Sequence, residues 1–392
     1  MSKRIVSMMM LFLMFLATPF LGVKVQPARA QELLTIYIRA DGSIDPPDAP
    51  ISTADNITYT LTGSVATMYG EDGIVVERDS IVVDGSGFSL YGSGWYEGNE
   101  GIEVYGRSNV TITNVVIPTL GYDLGIYLGA SLGCAVHNVR SDTHRSIVLS
   151  GCTSCNVFNC TTDAVYLMGS DGNSIYDNQF HGGYGMWIWY SSNNSIFRNN
   201  VTEYGHGFWL MASSNNSICY NDIENVEWAF WVDGSSFNGI FRNSIANNGK
   251  GFLMTNSSDN SIYHNNLINN TLQVSTSNST DIWDNGYPSG GNYWSNYNGT
   301  DANDDDIGDT PYVIDESSRD NYPIMGPYPY FPWDLSGDGY VGIDDILEAA
   351  QAFGSTPELP RWNPKADINH DNYTGIDDIL SIARNFGRTS PP

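Results

Sequence analysis

Between Gly185 and Gln273 the apolar and polar positions recur in one order four times: GMWIWYSSNNSIFRNNVTEYGH, GFWLMASSNNSICYNDIENVEW, AFWVDGSSFNGIFRNSIANNGK and GFLMTNSSDNSIYHNNLINNTLQ. Ile196, Ile218, Ile240 and Ile262 are 22 residues apart, as are Asn199, Asn221, Asn243 and Asn265. A fixed period of this length is the mark of a solenoid. Each unit opens with a small residue and an alternating apolar pair (Phe208 and Leu210, Phe230 and Val232, Phe252 and Met254), followed by short runs between Asn, Ser and Gly turns. Alternation in short runs predicts strands. Three short strands per coil, with like residues stacked at about the 4.8 Å strand spacing, give an all-β parallel β-helix. Asparagines stacked at one turn hydrogen-bond along such a ladder.

The same register extends toward the N-terminus. The coil-opening small residue runs Gly101, Gly125, Ser146, Ala164, Gly185, Gly207, Ala229, Gly251, in steps of 24, 21, 18, 21, 22, 22 and 22. The expected ladder asparagines, Asn114, Asn138, Asn159, Asn178, Asn199, Asn221, Asn243 and Asn265, step by 24, 21, 19, 21, 22, 22 and 22. Eight regular coils are thus expected over residues 99–280. Residues 31–98 form an N-terminal cap with first coils, and 281–333 an acidic C-terminal cap with a Pro/aromatic linker. A cap is required because a bare terminal coil exposes core and strand edges.

The register separates inside from outside. First and third positions after the small residue are apolar throughout, whereas the second reads Glu103, Tyr127, Val148, Tyr166, Trp187, Trp209, Trp231, Leu253. This outward aromatic row offers flat apolar faces for stacking on sugar rings, with Tyr127, Tyr166, Trp187, Trp209 and Trp231 as candidate ligand contacts; the plainer reading is rings covering strands, where aromatics are favoured anyway. Asp142 and Asp163, each four residues after an asparagine of the series, stack on adjacent coils beside His144 and Arg145. Paired carboxylates of this kind suit general acid–base work or a shared cation. A solvated ion pair with Arg145 is the structural alternative. Asp171 and His181 are expected within reach of the pair.

Charge and processing signals narrow the setting. Lys3 and Arg4 precede an apolar run to Val23 and a small-x-small site at Ala28-Arg29-Ala30, so residues 1–30 are read as a signal peptide, with a membrane anchor as the rival. The formal charge of -27 deepens by four on its removal, which argues against a nucleic-acid partner and fits a divalent-cation-rich exterior. No later segment is apolar enough to span a membrane. Eleven Asn-x-Ser/Thr sequons permit glycosylation outside the cell. Of five cysteines, Cys134 and Cys155 are expected at equivalent positions on adjacent coils, opposite later serines such as Ser174; a disulfide across coils and small residues in a turn are both open.

GNYWSNYNGTDANDDDIGDTPYVIDESSRDNYPIM (Gly291 to Met325), together with the coil pattern, resembles the copper-associated periplasmic NosD-like family of right-handed parallel β-helices, over roughly residues 70–325. The resemblance implies the right-handed fold. It also implies copper, which suits soft ligands, yet five of eleven Met fall in the signal segment and Met186 and Met254 take inward positions. Asp301, Asn303, Asp305 and Asp309 place oxygen ligands at alternate positions, a calcium-like pattern, with Asp306 where a turn glycine would help.

After PYPYFPWDL the chain reads DLSGDGYVGIDDILEAAQAFG and, 33 residues on, DINHDNYTGIDDILSIARNFG. Asp334, Ser336, Asp338, Tyr340 (through its carbonyl) and Asp345, then Asp367, Asn369, Asp371, Tyr373 and Asp378, occupy the ligand positions of two twelve-residue Ca2+ loops, each followed by a helix. Residues 334–392 resemble a type I dockerin, which implies attachment to a cohesin-like protein domain; the chain's own β-helix is the alternative partner. At the two partner-selecting positions of each repeat it has Ile343 and Asp344, then Ile376 and Asp377. The reading is an exported, surface-associated calcium-binding β-helix protein that binds polysaccharide or another extended ligand. A polysaccharide lyase or glycoside hydrolase using the Asp142–Asp163 region, and a non-catalytic adhesion protein, are the rivals.

Overall fold

The computed structural model describes residues 32–388 apart from 34, 95–97, 120, 203–204, 329–332, 337–339, 357–358, 360, 364–365 and 369–372. The expected signal segment lies outside them. Among the described residues no helix is long and apolar enough to cross a membrane.

The chain winds as a parallel solenoid of about ten turns. Its first strand column runs from Ile74–Val76 through Glu100–Tyr105, Leu124–Gly129 and their successors to Leu272–Ser277, every neighbour paired in parallel. A second column, from Thr58–Leu61 to Thr280–Ile282, is also parallel. Short third strands such as Asn200–Thr202, Asp222–Glu224 and Ser244–Ala246 complete each coil. Core pairs fall where alternation put them: Ile102, Ile126, Ile147, Val165, Met186, Phe208, Phe230 and Phe252 stack in one buried file, and Val104 through Met254 in the next. The coil-opening residue is small because a carbonyl of the following coil lies against it. A Cβ on Gly207 would sit 2.2 Å from the Ala229 oxygen.

The asparagine series needs one correction. Asn178, Asn199, Asn221, Asn243 and Asn265 form a buried ladder that ends on Asn292, each Nδ2 donating to the next Oδ1 at 2.9–3.0 Å. Asn114, Asn138 and Asn159 are not its members. They take left-handed backbone, φ 55°, 54° and 51°, one residue ahead of the slot, which Val115, Val139 and Cys160 fill. Asn is well suited to that conformation, so it serves the corner in early coils and the slot in later ones. The one-residue disagreement between the steps of 18 and 19 is this slip: strand pairing runs Val157 to Ile175 and Ile147 to Val165, both 18.

The slip also moves the cysteines. Cys134 and Cys155 align with Asn173 rather than Ser174, at the head of a second buried ladder, Asn173, Asn194, Asn216, Asn238, Asn260. Cys152 occupies the slot of Ser170, and Cys160 that of Asn178. All five cysteines are buried free thiols; the two alternatives resolve in favour of small residues in a turn.

Antiparallel pieces close both ends. Ile36–Ile38 stacks on Ile74–Val76 and is covered by Ile44–Asp45, while Ile51–Ser52 covers Thr58–Leu61. At the other end Trp283 and Trp294 seal the last coil. Both ladders there finish on carboxylates: Asn260 donates to Asp281 Oδ1 at 2.7 Å, and the Asn292 N–H to Asp320 Oδ2 at 2.7 Å. The buried Asp320 also accepts from Trp294 Nε1 and the Tyr322 N–H.

Two helices, α1 (Ile343–Ala352) and α2 (Ile376–Arg384), follow. They share a separate small core of Leu335, Val341, Ala349, Ala352, Ala366, Ile368 and Ile382.

Asn221→Ala orphans the Asn199 N–H and the Ile196 carbonyl inside the solenoid, so a loss of about 2–4 kcal/mol is expected, read from the denaturant midpoint. Burial raises the Asp320 carboxyl from 3.8 to about 7, so the folded chain holds a proton there that the unfolded chain has released. The cap therefore loses stability as pH rises from about 4 through 7. Thermal melts across that window check it, and Asp320→Asn is expected to flatten the profile.

Candidate functional site

The outward row next to the core files is continuous. Glu103, Tyr127, Val148, Tyr166, Trp187, Trp209, Trp231 and Leu253 pair successively, as their register requires. Trp209 and Trp231 stack with ring centroids 4.4 Å apart and planes 5° apart. Trp187 meets Trp209 at 4.4 Å edge-on, and Tyr166 at 5.3 Å. Trp189 adds a ring 5.1 Å from Trp187, and Trp228 one 5.1 Å from Trp231. These tryptophans are half-buried, but Val148 and Tyr166 are covered, forming with Leu124 and Ala164 a small apolar cluster under Tyr127, Tyr184 and Trp187. Tyr166 is thus more a floor for the row than a free platform. The indole N–H groups of Trp189 and Trp209 are buried without a partner.

The row runs into the acidic cluster. Thr161–Met168 and Gln179–Trp189 pair out of step, with Thr162 opposite Phe180 but Ala164 opposite Gly185. One residue, Asp163, therefore faces four, His181 to Tyr184. This bulge lays Gly182 against Asp163, where a Cβ would be 2.4 Å from Oδ1. It brings His181 Nε2 to 3.4 Å from Asp142 Oδ1. Asp142 and Asp163 do stack on adjacent coils, following Ser141 and Thr162. With His181 they form the one trio of metal-capable groups gathered within 4.8 Å among the described residues. Burial, with Asp142 adding to it, raises the Asp163 carboxyl while the His181 and His144 rings oppose the rise.

The other two candidates sit differently. Arg145 pairs with the buried Asp123 at 3.5 Å, and the arginine on Asp142 is Arg140 at 3.1 Å. The expected Arg145 ion pair is corrected accordingly, since Arg145 opens its strand beside Leu124. His144 lies edge-on against Tyr184, 3.9 Å between centroids, and Tyr184 accepts the Trp187 indole N–H at 2.8 Å through its carbonyl. Tyr184 therefore joins the cluster to the tryptophans. The sequence reasoning gave it no role, and the signal for it was the three extra residues of FHGGYG. Asp171 is elsewhere, accepting the Ser192 N–H at 2.6 Å.

Toward the first coils the strip turns acidic. Glu100 is raised to about 9 by burial and by a side-chain hydrogen bond with Asp72, with Glu103 and Asp123 adding to it.

At the C-terminal side, Asp301 accepts the Asp305 and Asp306 N–H groups at 3.2 and 2.9 Å, Asp305 that of Ile307 at 3.0 Å, and Asp309 that of Ala302 at 2.8 Å. Asn303 donates to Asp305 at 2.8 Å, and Asp306 has φ 64°. Three of these carboxylates do not gather within 4.8 Å. In the terminal module Asp345 accepts the Ser336 and Gly342 N–H groups (2.8 and 2.6 Å), and Asp378 those of Ile368 and Gly375 (2.8 and 2.6 Å). Asp334, Asp367, Tyr340 and Tyr373 are described as well, the first two buried. Asp338, Asn369 and Asp371 lie outside the described residues.

A parallel β-helix with a wall of outward indoles leading into an Asp–His cluster defines the class. The sequence model of the family described as periplasmic copper-binding protein (NosD) matches residues 52–229 and 153–299, more than half of the chain, which therefore belongs to that family. No curated protein matches. Among solved structures, the periplasmic alginate epimerase AlgG shares 17% identity over 57% of this chain at TM-score 0.42, and the match spans 62% of the epimerase. The A-module of the Azotobacter vinelandii mannuronan C-5 epimerase AlgE6 shares 13% over 63% of this chain and 88% of its own, TM-score 0.43. The Dettilon tailspike protein shares 13% over 66% of each, TM-score 0.40. At these identities the likeness is one of chain path.

Copper is not fitted by the donors present. Cys134, Cys152 and Cys155 are sealed in the core with their sulfurs on backbone carbonyls, Met186 and Met254 are fully buried, and His137, His206 and His264 stack separately on Phe158, Trp228 and Tyr328. The Cys155 thiol meets those of Cys134 and Cys152, but all three are buried inside the solenoid, and the half-exposed cluster of one imidazole with two carboxylates is a harder set.

Proposed function

We propose that the chain is an exported protein that holds a polysaccharide along its outward indole row. The observation that carries this reading is the contact sequence Trp231, Trp209, Trp187, Tyr184, His144, in which flat apolar faces rise coil by coil toward ionisable groups. Rigid, half-buried aromatic rings at the strand spacing supply flat apolar faces for stacking on sugar rings. The family's periplasmic description supports a location outside the cytoplasm.

A second reading, glycan cleavage as a lyase or hydrolase, is favoured by the bulge that sets His181 on Asp142 and Asp163. A raised carboxyl beside an imidazole is a general acid–base pair in outline. His181 joins Asp142, His144, Arg145 and Asp163 in that reading, with Arg145 holding Asp123 rather than reaching the pair.

The C-terminal residues are proposed to be a dockerin-like module with two Ca2+ loops, attached to a cohesin-like partner. Its support is the duplicated arrangement: the last aspartate of each loop ties two loop N–H groups in the same way. Ile343, Leu347, Ile376 and Leu380, 62%, 55%, 56% and 42% exposed, leave matching apolar faces on both helices for a partner.

In a glycan-array and depolymerisation screen of residues 31–392, Trp187→Ala, Trp209→Ala and Trp231→Ala together are expected to weaken glycan binding roughly 10- to 100-fold. Undiminished binding by the triple variant would remove the row from the reading. If products are released, Asp163→Asn is expected to stop their release. Chelation of calcium is expected to abolish the near-UV dichroism of the terminal module and spare the solenoid, because metal binding supplies folding energy to small modules; an unchanged spectrum argues against calcium loops.

A further inference from the structure

Resting on the glycan-binding reading above, we propose that the polymer held on this face carries free amino groups, a polycationic hexosamine chain, rather than uronate groups. The charge along the strip points one way. Beside the aromatic row stand Asp72, Glu103 and Asp163, in no ion pair among the described residues, with Asp123 and Asp142 next to them. Against them are Arg140 and Arg145, already engaged by Asp142 and Asp123, and Lys250, which follows His206 and Trp228 in the neighbouring outward column. Burial, with a side-chain hydrogen bond to Asp72 and the field of Glu103 and Asp123 adding to it, keeps Glu100 protonated, so the charge there rests on its neighbours. Arg198 and Arg242 are used elsewhere, Arg198 over Phe197 and Arg242 between Tyr220 and Tyr328.

A polyuronate brings one negative charge per sugar into this field and into that of a chain of formal charge -27. An ammonium-bearing sugar meets carboxylates at one end of the strip and indole faces at the other, and indoles are the best cation–π partners among side chains. Both halves of the face then act on the same polymer, the rings through stacking and ammonium contact, the carboxylates through charge. A neutral polymer would use the rings alone.

The test titrates the full exported chain, with calcium present, with three hexasaccharides of equal length: a glucosamine oligomer, its N-acetylated form and a uronate oligomer. Tryptophan fluorescence or calorimetry reads affinity at about 20 mM and about 300 mM salt, which shortens the screening length severalfold. The amine-bearing oligomer is expected to bind about tenfold tighter than the acetylated one at low salt, the effect of two or so exposed charge pairs, with the gap closing at high salt and the uronate weakest. Glu103→Gln with Asp163→Asn should close the gap at low salt. Asp48→Asn with Glu316→Gln, an equal change of charge on exposed cap residues, should leave it open. Equal or tighter binding of the acetylated or uronate oligomer overturns the amine assignment while the glycan reading stands. Closure of the gap by the cap pair overturns it as well, because attraction is then diffuse. Failure of all three oligomers to bind overturns the glycan reading itself, and this inference with it.

Discussion

In the coil that starts at Gly207, left-handed backbone at Ala212, Asn215, Tyr220 and Asn225 each precedes a residue whose N–H is accepted by a side chain of the next coil. A buried N–H without an acceptor is costly, and that single requirement organises the structure. Asparagine meets it because its amide accepts from the coil before and donates to the coil after: Asn221 accepts from Asn199 and donates to Asn243. Serine meets a milder version at Ser191, Ser213 and Ser235, whose hydroxyls accept the preceding coil's N–H. In the early coils cysteine fills the same slots. The thiols are thus explained by packing in the ladder, and their odd number requires no bridge.

The candidate site arises where the period fails. Between Ser146 and Ala164 the coil shortens to 18 residues, and on the next coil the bulge at His181 to Tyr184 adds what the third strand had lost. A regular coil would place one side chain opposite Asp163. The bulge instead returns a histidine over the carboxylates and sends a tyrosine under the first tryptophan. Rigid ladders on either side hold this irregular stretch in place, a common arrangement for function on repetitive scaffolds.

The solenoid, its inside and outside, and the indole row were legible because a period of 22 repeated four times leaves little freedom: Phe208, Phe230 and Phe252 could only be inward if Trp209 and Trp231 were outward. The stacking of Asp142 on Asp163 was legible for the same reason. What was hidden depends on contacts that sequence spacing does not encode. Asn serves both left-handed corners and ladder slots, so the series slid by one at Asn159 without any break in residue type. Arg140 and Arg145 flank Asp142 almost equally in sequence, and strand direction alone decides that Arg145 reaches back to Asp123. The second ladder, Asn173 to Asn260, was hidden in plain repetition beside the first.

The ladders have a direction. Every side-chain rung hands a hydrogen bond toward the C-terminus, and both sequences of rungs stop on a carboxyl group that receives the last one, Asp281 in one and Asp320, through Asn292, in the other. A further coil, whether from another copy of the chain or from a misfolded neighbour, would need a donor there and would meet a carboxylate. The solenoid is therefore a relay with a written full stop, which permits indefinite repetition within the chain while refusing it between chains.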